Sequence, residues 1–148
     1  MIEAHDSLIV KKATKFLVPF IQVFALYVLF HGHHSPGGGF QAGVLIGASI
    51  ILQILVESRA EIRKSSLKME FLAAASGLGV YAGVGLLALT GGNFLDYGKI
   101  ALFAPEIPMR RFWGILGVEI GVTIVVAMTL VTIFHVLALG GEKEEIAS

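Results

Sequence analysis

The feature that most constrains the fold is a set of four long apolar runs that are almost free of charge. They cover residues 16–30, 39–56, 71–89 and 114–139. A helix needs about 20 apolar residues to cross the hydrocarbon core of a bilayer, and backbone polar groups in lipid must be bonded within the segment. The sequence therefore predicts an all-α integral membrane protein with four transmembrane helices.

The charged residues divide the chain into a membrane domain and two tails. We predict an N-terminal tail over residues 1–15, a four-helix transmembrane domain over 16–139 and a C-terminal tail over 140–148. With four spans, both termini lie on the same side of the membrane. The basic residues on that side are Lys11, Lys12, Lys15, Arg59, Arg63, Lys64, Lys68 and Lys143, against Lys99, Arg110 and Arg111 on the other. The positive-inside rule then predicts a multi-pass protein of the cell membrane with both termini in the cytoplasm.

The first apolar run is short for a transmembrane helix. Residues 16–30 would extend about 22 Å as a helix, whereas the hydrocarbon core is about 30 Å thick. Two explanations are open. Either the Lys15 side chain extends to the interface, or the connection after the first helix begins below the headgroups.

That connection, residues 31–43, reads His-Gly-His-His-Ser-Pro-Gly-Gly-Gly-Phe-Gln-Ala-Gly. Pro36 fixes its own φ angle and disfavours helix at Ser35, and the glycines at 37–39 allow close backbone approach. We expect the helix to resume at about Phe40. Non-helical backbone at membrane depth survives only where protein or a water-filled cavity covers it. The sequence thus predicts a Gly/Pro-rich break between helices 1 and 2 that neighbours or water must cover.

The three imidazoles of this connection raise the question of a metal site. His31, His33 and His34 are spaced i, i+2, i+3 without a cysteine or a nearby carboxylate, which is a weak metal-binding pattern. They could instead take part in proton or cation traffic, or face the headgroups. We predict no metal and no cofactor.

Other classes of function have little support in the sequence. The chain has no cysteine, so disulfides and iron–sulfur clusters are excluded, and its formal net charge of zero gives no electrostatic case for nucleic acid. The sequence has no nucleophile–base pair and no phosphate-binding glycine loop. We therefore expect a protein that is not an enzyme.

Glu119 is the acidic residue inside an apolar run, and such a residue is a functional-site hypothesis by default. A charge near the membrane centre costs on the order of 3 kcal/mol, so this acid needs water, a hydroxyl or another subunit as a partner. The alternative is that it reaches the outer headgroups. His135 lies sixteen residues later, about 24 Å along the helix, and cannot act together with Glu119. We expect His135 at the interface near the cytoplasmic end, and the alternative is that it belongs to a proton path.

Glycines recur at every fourth residue in three of the runs, the spacing that lets helix backbones approach closely. The helix-packing candidates are Gly39, Gly43 and Gly47, then Gly79 and Gly83, then Gly117 and Gly121. Glu119 is about 200° around the helix from the last pair. It should face away from whatever packs there.

The connection between the first two runs resembles a family signature. Gly32-His33-x-x-Pro36-Gly37-Gly38-Gly39-Phe40-x-x-Gly43 is similar to the motif of the MnhB-related domain, found in multisubunit Na⁺/H⁺ antiporters of the Mrp or Mnh type. The likeness covers residues 16–139, including a Gly-Asn-Phe-Leu turn at 92–95 and an acid followed by Gly121 and Val122. Family members usually carry Asp where this chain has Glu119, and residues 105–113 depart from the usual form.

The resemblance implies a non-catalytic membrane subunit of a cation (Na⁺)/proton antiporter module that helps to form the ion path and the subunit interface. Its partners would be other Mrp-like membrane subunits, Na⁺ and H⁺, and in one setting a hydrogenase or related redox module. The ion-path candidates are Glu119, His33, Phe40 and Pro36, and the turn glycines are Gly32, Gly37, Gly38, Gly39 and Gly43. Two alternatives stay open: a purely structural scaffold, and a small channel or transporter that associates with itself.

Overall fold

A computed structural model of the chain describes residues 6–32, 38–56, 67–100 and 105–147, with side chains for 8–32, 38–56, 67–100 and 105–138. The helices are α1 (Asp6–Phe30), α2 (Gly38–Val56), α3 (Leu67–Leu89) and α4 (Ile107–Ala147), and a short 3₁₀ turn covers Tyr97–Lys99. Within the described ranges there is no strand. All four helices are long and apolar enough to cross a membrane, which confirms the predicted fold class.

Three helices extend beyond the apolar runs that predicted them. Helix α1 begins at Asp6, within the predicted N-terminal tail, so Lys11, Lys12 and Lys15 are helical residues. Helix α4 likewise continues through most of the predicted C-terminal tail. Charged residues with unbranched stems are good helix formers, so the end of an apolar run marks a change of solvent and not the end of a helix. Glu70, which lies just before the third apolar run, is in the first turn of α3.

The four helices lie in a row, not in a closed bundle. Helix α4 packs against both α2 and α3, whereas α1 packs mainly against α2. The order across the row is therefore α1, α2, α4, α3. Each helix carries large apolar side chains on exposed faces, for example Phe20, Leu72 and Leu137. Lipid or partner helices must cover both faces of such a row in a membrane.

Helices α2 and α4 run parallel, and glycines set their contact. A methyl group added at Gly39 would lie 2.8 Å from Glu119 Cα, and one added at Gly43 would lie 2.8 Å from the Thr123 carbonyl oxygen. The third glycine, Gly47, faces Ala127 in the same way at 3.1–3.2 Å. The stripe predicted from the sequence is therefore an internal interface along its whole length.

Glycine contacts between α3 and α4 differ from the prediction. Gly121 packs against Gly77, where an added methyl group would lie 2.8 Å from the opposing carbonyl oxygen, and Gly117 faces Val84. Gly79 and Gly83 have no atom within 4 Å of the position an added methyl group would take. Among the described residues, Gly79 and Gly83 therefore contact no other helix of this chain, and a packing role for them against another subunit stays a prediction. The reason is azimuth, because Gly77 and not Gly79 lies on the face turned towards α4.

Helix α2 begins at a deeper level, measured along the helix axes, than the parallel helix α4. Gly39 lies level with Glu119, which is twelve residues after the first residue of α4. At 1.5 Å per residue, α4 extends roughly 18 Å beyond the start of α2. This favours the explanation of the short first run in which the connection begins below the headgroups.

The first part of the connection from α3 to α4, residues 90–100, lies at that same end. Gly92 adopts a φ of 129°, which suits glycine, and Leu95 adopts a φ of 62°. The Tyr97 ring lies against Gly114, and burial together with the charge of Tyr81 raises the pKa of the Tyr97 hydroxyl above its usual value near 10.0. Lys99 and Asp96 form an exposed ion pair of 3.4 Å. These contacts hold the connection onto the first turns of α4.

Candidate functional site

The Glu119 side chain lies over the two described ends of the break between α1 and α2. A methyl group added at Gly32 or at Gly38 would lie 2.8 Å from the carboxyl carbon of Glu119 and closer still to its Oε1. Glycine is therefore required at both positions if the carboxylate is to occupy this place. The acid and the break, which the sequence analysis treated separately, form one site.

The backbone of Glu119 is as closely packed as its side chain. Gly39 contacts the Glu119 carbonyl oxygen, and the buried Thr123 hydroxyl lies 2.7 Å from that oxygen and 2.9 Å from the Gly39 carbonyl oxygen. A hydroxyl has one proton, so it donates to one of the two carbonyls at a time. Thr123 thus ties α2 to α4 directly beneath the acid.

The charges around Glu119 are those expected of a carboxylate that binds and releases a cation or a proton. Gly38 is the first residue of α2, so Glu119 lies at the end of a helix whose unpaired N–H groups carry partial positive charge. No Lys or Arg side chain in the described ranges forms an ion pair with Glu119, and its carboxylate is half-buried. Carboxylate and backbone oxygens beside an interrupted helix are the groups with which membrane transporters bind protons and Na⁺.

The other predicted ion-path residues do not all join this site. His33, Pro36 and Gly37 lie outside the described residues. Phe40 is 61% exposed, and its side chain lines an apolar groove of about 400 Å³ between α1 and α2. The structure thus places the Phe40 ring among apolar side chains, and its role in an ion path stays a prediction.

Other polar groups at membrane depth bond within the chain. Gln22 of α1 donates to the Ser49 hydroxyl at 3.4 Å, and Ser49 donates to the Ile46 carbonyl at 2.7 Å. His31 stacks on the Tyr27 ring, with its Nδ1 2.9 Å from the Tyr27 carbonyl oxygen. Among the residues that the structure describes, no three His, Asp or Glu side chains are grouped to hold a metal ion.

A second acidic site was missed by the sequence analysis. Glu70 Oε1 lies 2.5 Å from His135 Nδ1 between α3 and α4, with side-chain exposures of only 7% and 2%. His135 therefore packs inside the chain against α3, and its position near the cytoplasmic interface stays a prediction. The available signal was the 3.6-residue helical period, which continues upstream of the third apolar run and places Glu70 on the same face as Gly77.

Fold and site together define a class: a multi-pass membrane protein with an acid placed at a break between two helices. The chain belongs to the family described as the domain related to the MnhB subunit of Na⁺/H⁺ antiporters, which it matches over residues 9–132. This agrees with the resemblance noted in the sequence. No solved structure was found to match the chain.

Named relatives match over nearly the full length. The chain is 30% identical to the MnhB-type protein of Bacillus subtilis (strain 168), which is named as a subunit of a Na⁺/H⁺ antiporter, with 94% of this chain and 96% of the relative covered. It is 29% identical to the "Putative antiporter subunit mnhB2" of Staphylococcus haemolyticus (strain JCSC1435), with 94% and 98% covered. A shorter match to the mnhB2 protein of Staphylococcus epidermidis (strain ATCC 12228 / FDA PCI 1200) is 36% identical over 61 residues.

Proposed function

We propose that this chain is a non-catalytic membrane subunit of a multisubunit Na⁺/H⁺ antiporter, in which Glu119 binds the transported proton or cation. Family membership and the names of the full-length relatives support the antiporter assignment. The observation that carries the role of Glu119 is its carboxylate, which lies against Gly32 and Gly38 at the start of α2.

The mechanism follows from this position. In this proposal, ions reach Glu119 from the end of the molecule where α3 and α4 are connected. When the carboxylate is ionised, the N-terminus of α2 and a bound cation offset its charge. When it is protonated, the cation has no charged ligand and leaves. Because one carboxylate cannot hold both, the two ions compete, as exchange requires.

The test is Glu119→Gln in the assembled complex. The amide keeps the size of the side chain and removes the charge and the exchangeable proton, so we expect exchange to fall at least tenfold at full complex yield. Na⁺-driven proton movement in proteoliposomes measures it. Glu106→Gln is the matched control, because Glu106 is an exposed acid just before α4. Wild-type exchange in Glu119→Gln would remove Glu119 from the mechanism.

A purely structural role is the second candidate, and the glycine contacts between α2 and α4 favour it. A scaffold predicts that Gly38→Ala lowers complex recovery and exchange in the same proportion. A Gly38→Ala complex that assembles fully yet exchanges slowly contradicts the scaffold, because the added methyl group then acts through the Glu119 carboxylate.

Partners and location complete the proposal. We propose other Mrp-type subunits as partners, placement in the cell membrane, and both termini in the cytoplasm. Purification of the tagged chain in mild detergent tests the partners: large multi-pass subunits support the antiporter, and a homo-oligomer alone supports a self-associating channel. Recovery of a hydrogenase-like module would establish the redox-linked setting that the sequence resemblance leaves open.

A further inference from the structure

The Glu70–His135 contact lies at the end of α4 opposite Glu119 and is separate from the site described above. Glu70 is in the first turn of α3, and His135 lies sixteen residues beyond Glu119 on α4, about 24 Å away. The carboxylate oxygen Oε1 and the imidazole nitrogen Nδ1 are 2.5 Å apart, so the two side chains are in direct contact and form an ion pair when the imidazole is protonated.

Both imidazole nitrogens of His135 are buried. Neither makes a hydrogen bond among the described residues, although Nδ1 lies against the Glu70 carboxylate. The ring is flanked by Phe134 on its own helix at 6.0 Å. On α3, the other charged side chain described at this end is Lys68, which is exposed, and the last described turns of α2 carry no charge. A buried imidazole nitrogen without a partner is costly unless a proton or another polar group reaches it at some stage.

The pair has two charge states that differ by one proton. With one proton between them, whether on Glu70 or as the imidazolium, the pair carries no net charge. Loss of that proton leaves a carboxylate and a neutral imidazole with a net charge of −1. Because the two side chains are in contact, either the carboxylate or the imidazole can hold the proton, and the imidazole can bind it at Nδ1 or at Nε2.

We propose that Glu70 and His135 form a proton-binding site that exchanges with the aqueous phase at the end of the molecule where both termini lie. Glu70 is three residues, about 5 Å, from the start of α3, so the path to that phase is short. Binding of the proton by the two side chains does not depend on the proposed antiporter function. Its use in exchange rests on the proposed antiporter function.

The experiment follows the imidazole nitrogens of the full chain, labelled with ¹⁵N-histidine in lipid nanodiscs, between pH 5 and 9. We expect one titrating signal that is absent in His135→Gln. Glu70→Gln removes the shared carboxylate and should move the midpoint of that signal by at least one pH unit, a tenfold change in proton affinity. Glu70→Asp keeps a carboxylate and should keep a titrating signal. It also identifies the resonance if His135→Gln does not fold.

His31→Gln is the matched control, since it deletes an imidazole at the other end of the molecule and should leave the His135 titration unchanged. The proposal is overturned if the His135 nitrogens do not change between pH 5 and 9, or if Glu70→Gln leaves their midpoint in place. Exchange by the Glu70→Gln complex is measured separately. If the Glu70→Gln complex exchanges normally although its His135 titration is shifted, the antiporter assignment stands and the pair has no part in exchange. If the wild-type complex shows no exchange although His135 titrates, the pair binds protons and the antiporter assignment fails.

Discussion

Helix α4 meets α2 and α3 in different ways at the levels where each interface contains an acid. Against α2, the contact is made by backbone. The glycines around the start of α2 pack against Glu119, whose carboxylate is half-buried beside the helix terminus. Against α3, the contact is made by side chains, and Glu70 and His135 are buried on each other. An acid held by backbone keeps its charge available for an incoming ion, whereas an acid held by an imidazole stabilises the interface and exchanges only its proton.

The largest expected effect lies in the Glu70–His135 pair. Removing one partner, by Glu70→Met or His135→Leu, leaves a buried polar group and should lower the free energy of unfolding by about 3–5 kcal/mol. The double variant replaces the pair with apolar side chains and should recover most of that loss. SDS titration of the purified chain in mixed micelles measures all three. If the losses simply add in the double variant, the two side chains are not coupled and the contrast between the interfaces fails.

A smaller effect is expected where α2 meets α4. A methyl group at Gly39 meets the backbone of Glu119, which cannot turn aside, so Gly39→Ala should destabilise the chain by about 1–3 kcal/mol. Gly79→Ala is the matched control on α3, because its added methyl group has no atom within 4 Å, and it should change stability by no more than about 0.5 kcal/mol. Thermal unfolding in detergent compares the two. Equal changes in the two variants would mean that the contact with α4 does not decide the result, and a gain in both would reflect the higher helix propensity of alanine.

The smallest effect is expected at Tyr97, in the connection between α3 and α4. The pKa of Tyr97 is raised in the folded chain, so the unfolded chain loses this proton first as the pH increases. Stability from Tyr97 is therefore fully present below about pH 10 and declines above it. Thermal midpoints between about pH 9 and 11 should fall less steeply in Tyr97→Phe than in the wild type. Identical slopes would show that the ring is not buried against Gly114 in solution.

The sequence was sufficient to predict the transmembrane helices but not which helices pack against each other. Uncharged runs predict spans because lipid penalises charge wherever it lies, and Glu119 was identified for the same reason. Nothing in a local pattern says which helix a face will meet. Gly43 and Gly79 have the same spacing signal, yet one packs against α4 and the other faces open space. The approach of Glu119 to Gly38 joins positions about 80 residues apart, and no short motif records it.

The parallel contact between α2 and α4 joins two segments that are synthesised at different times. Helix α2 leaves the ribosome 80 residues before the part of α4 that it packs against. At 5–20 residues per second, its glycine face is without that partner for roughly 4–16 s. During that time the newly inserted α1–α2 hairpin exposes the Gly32 and Gly38 backbone that Glu119 later covers, so this hairpin is the part of the chain most dependent on lipid or an insertion factor during synthesis.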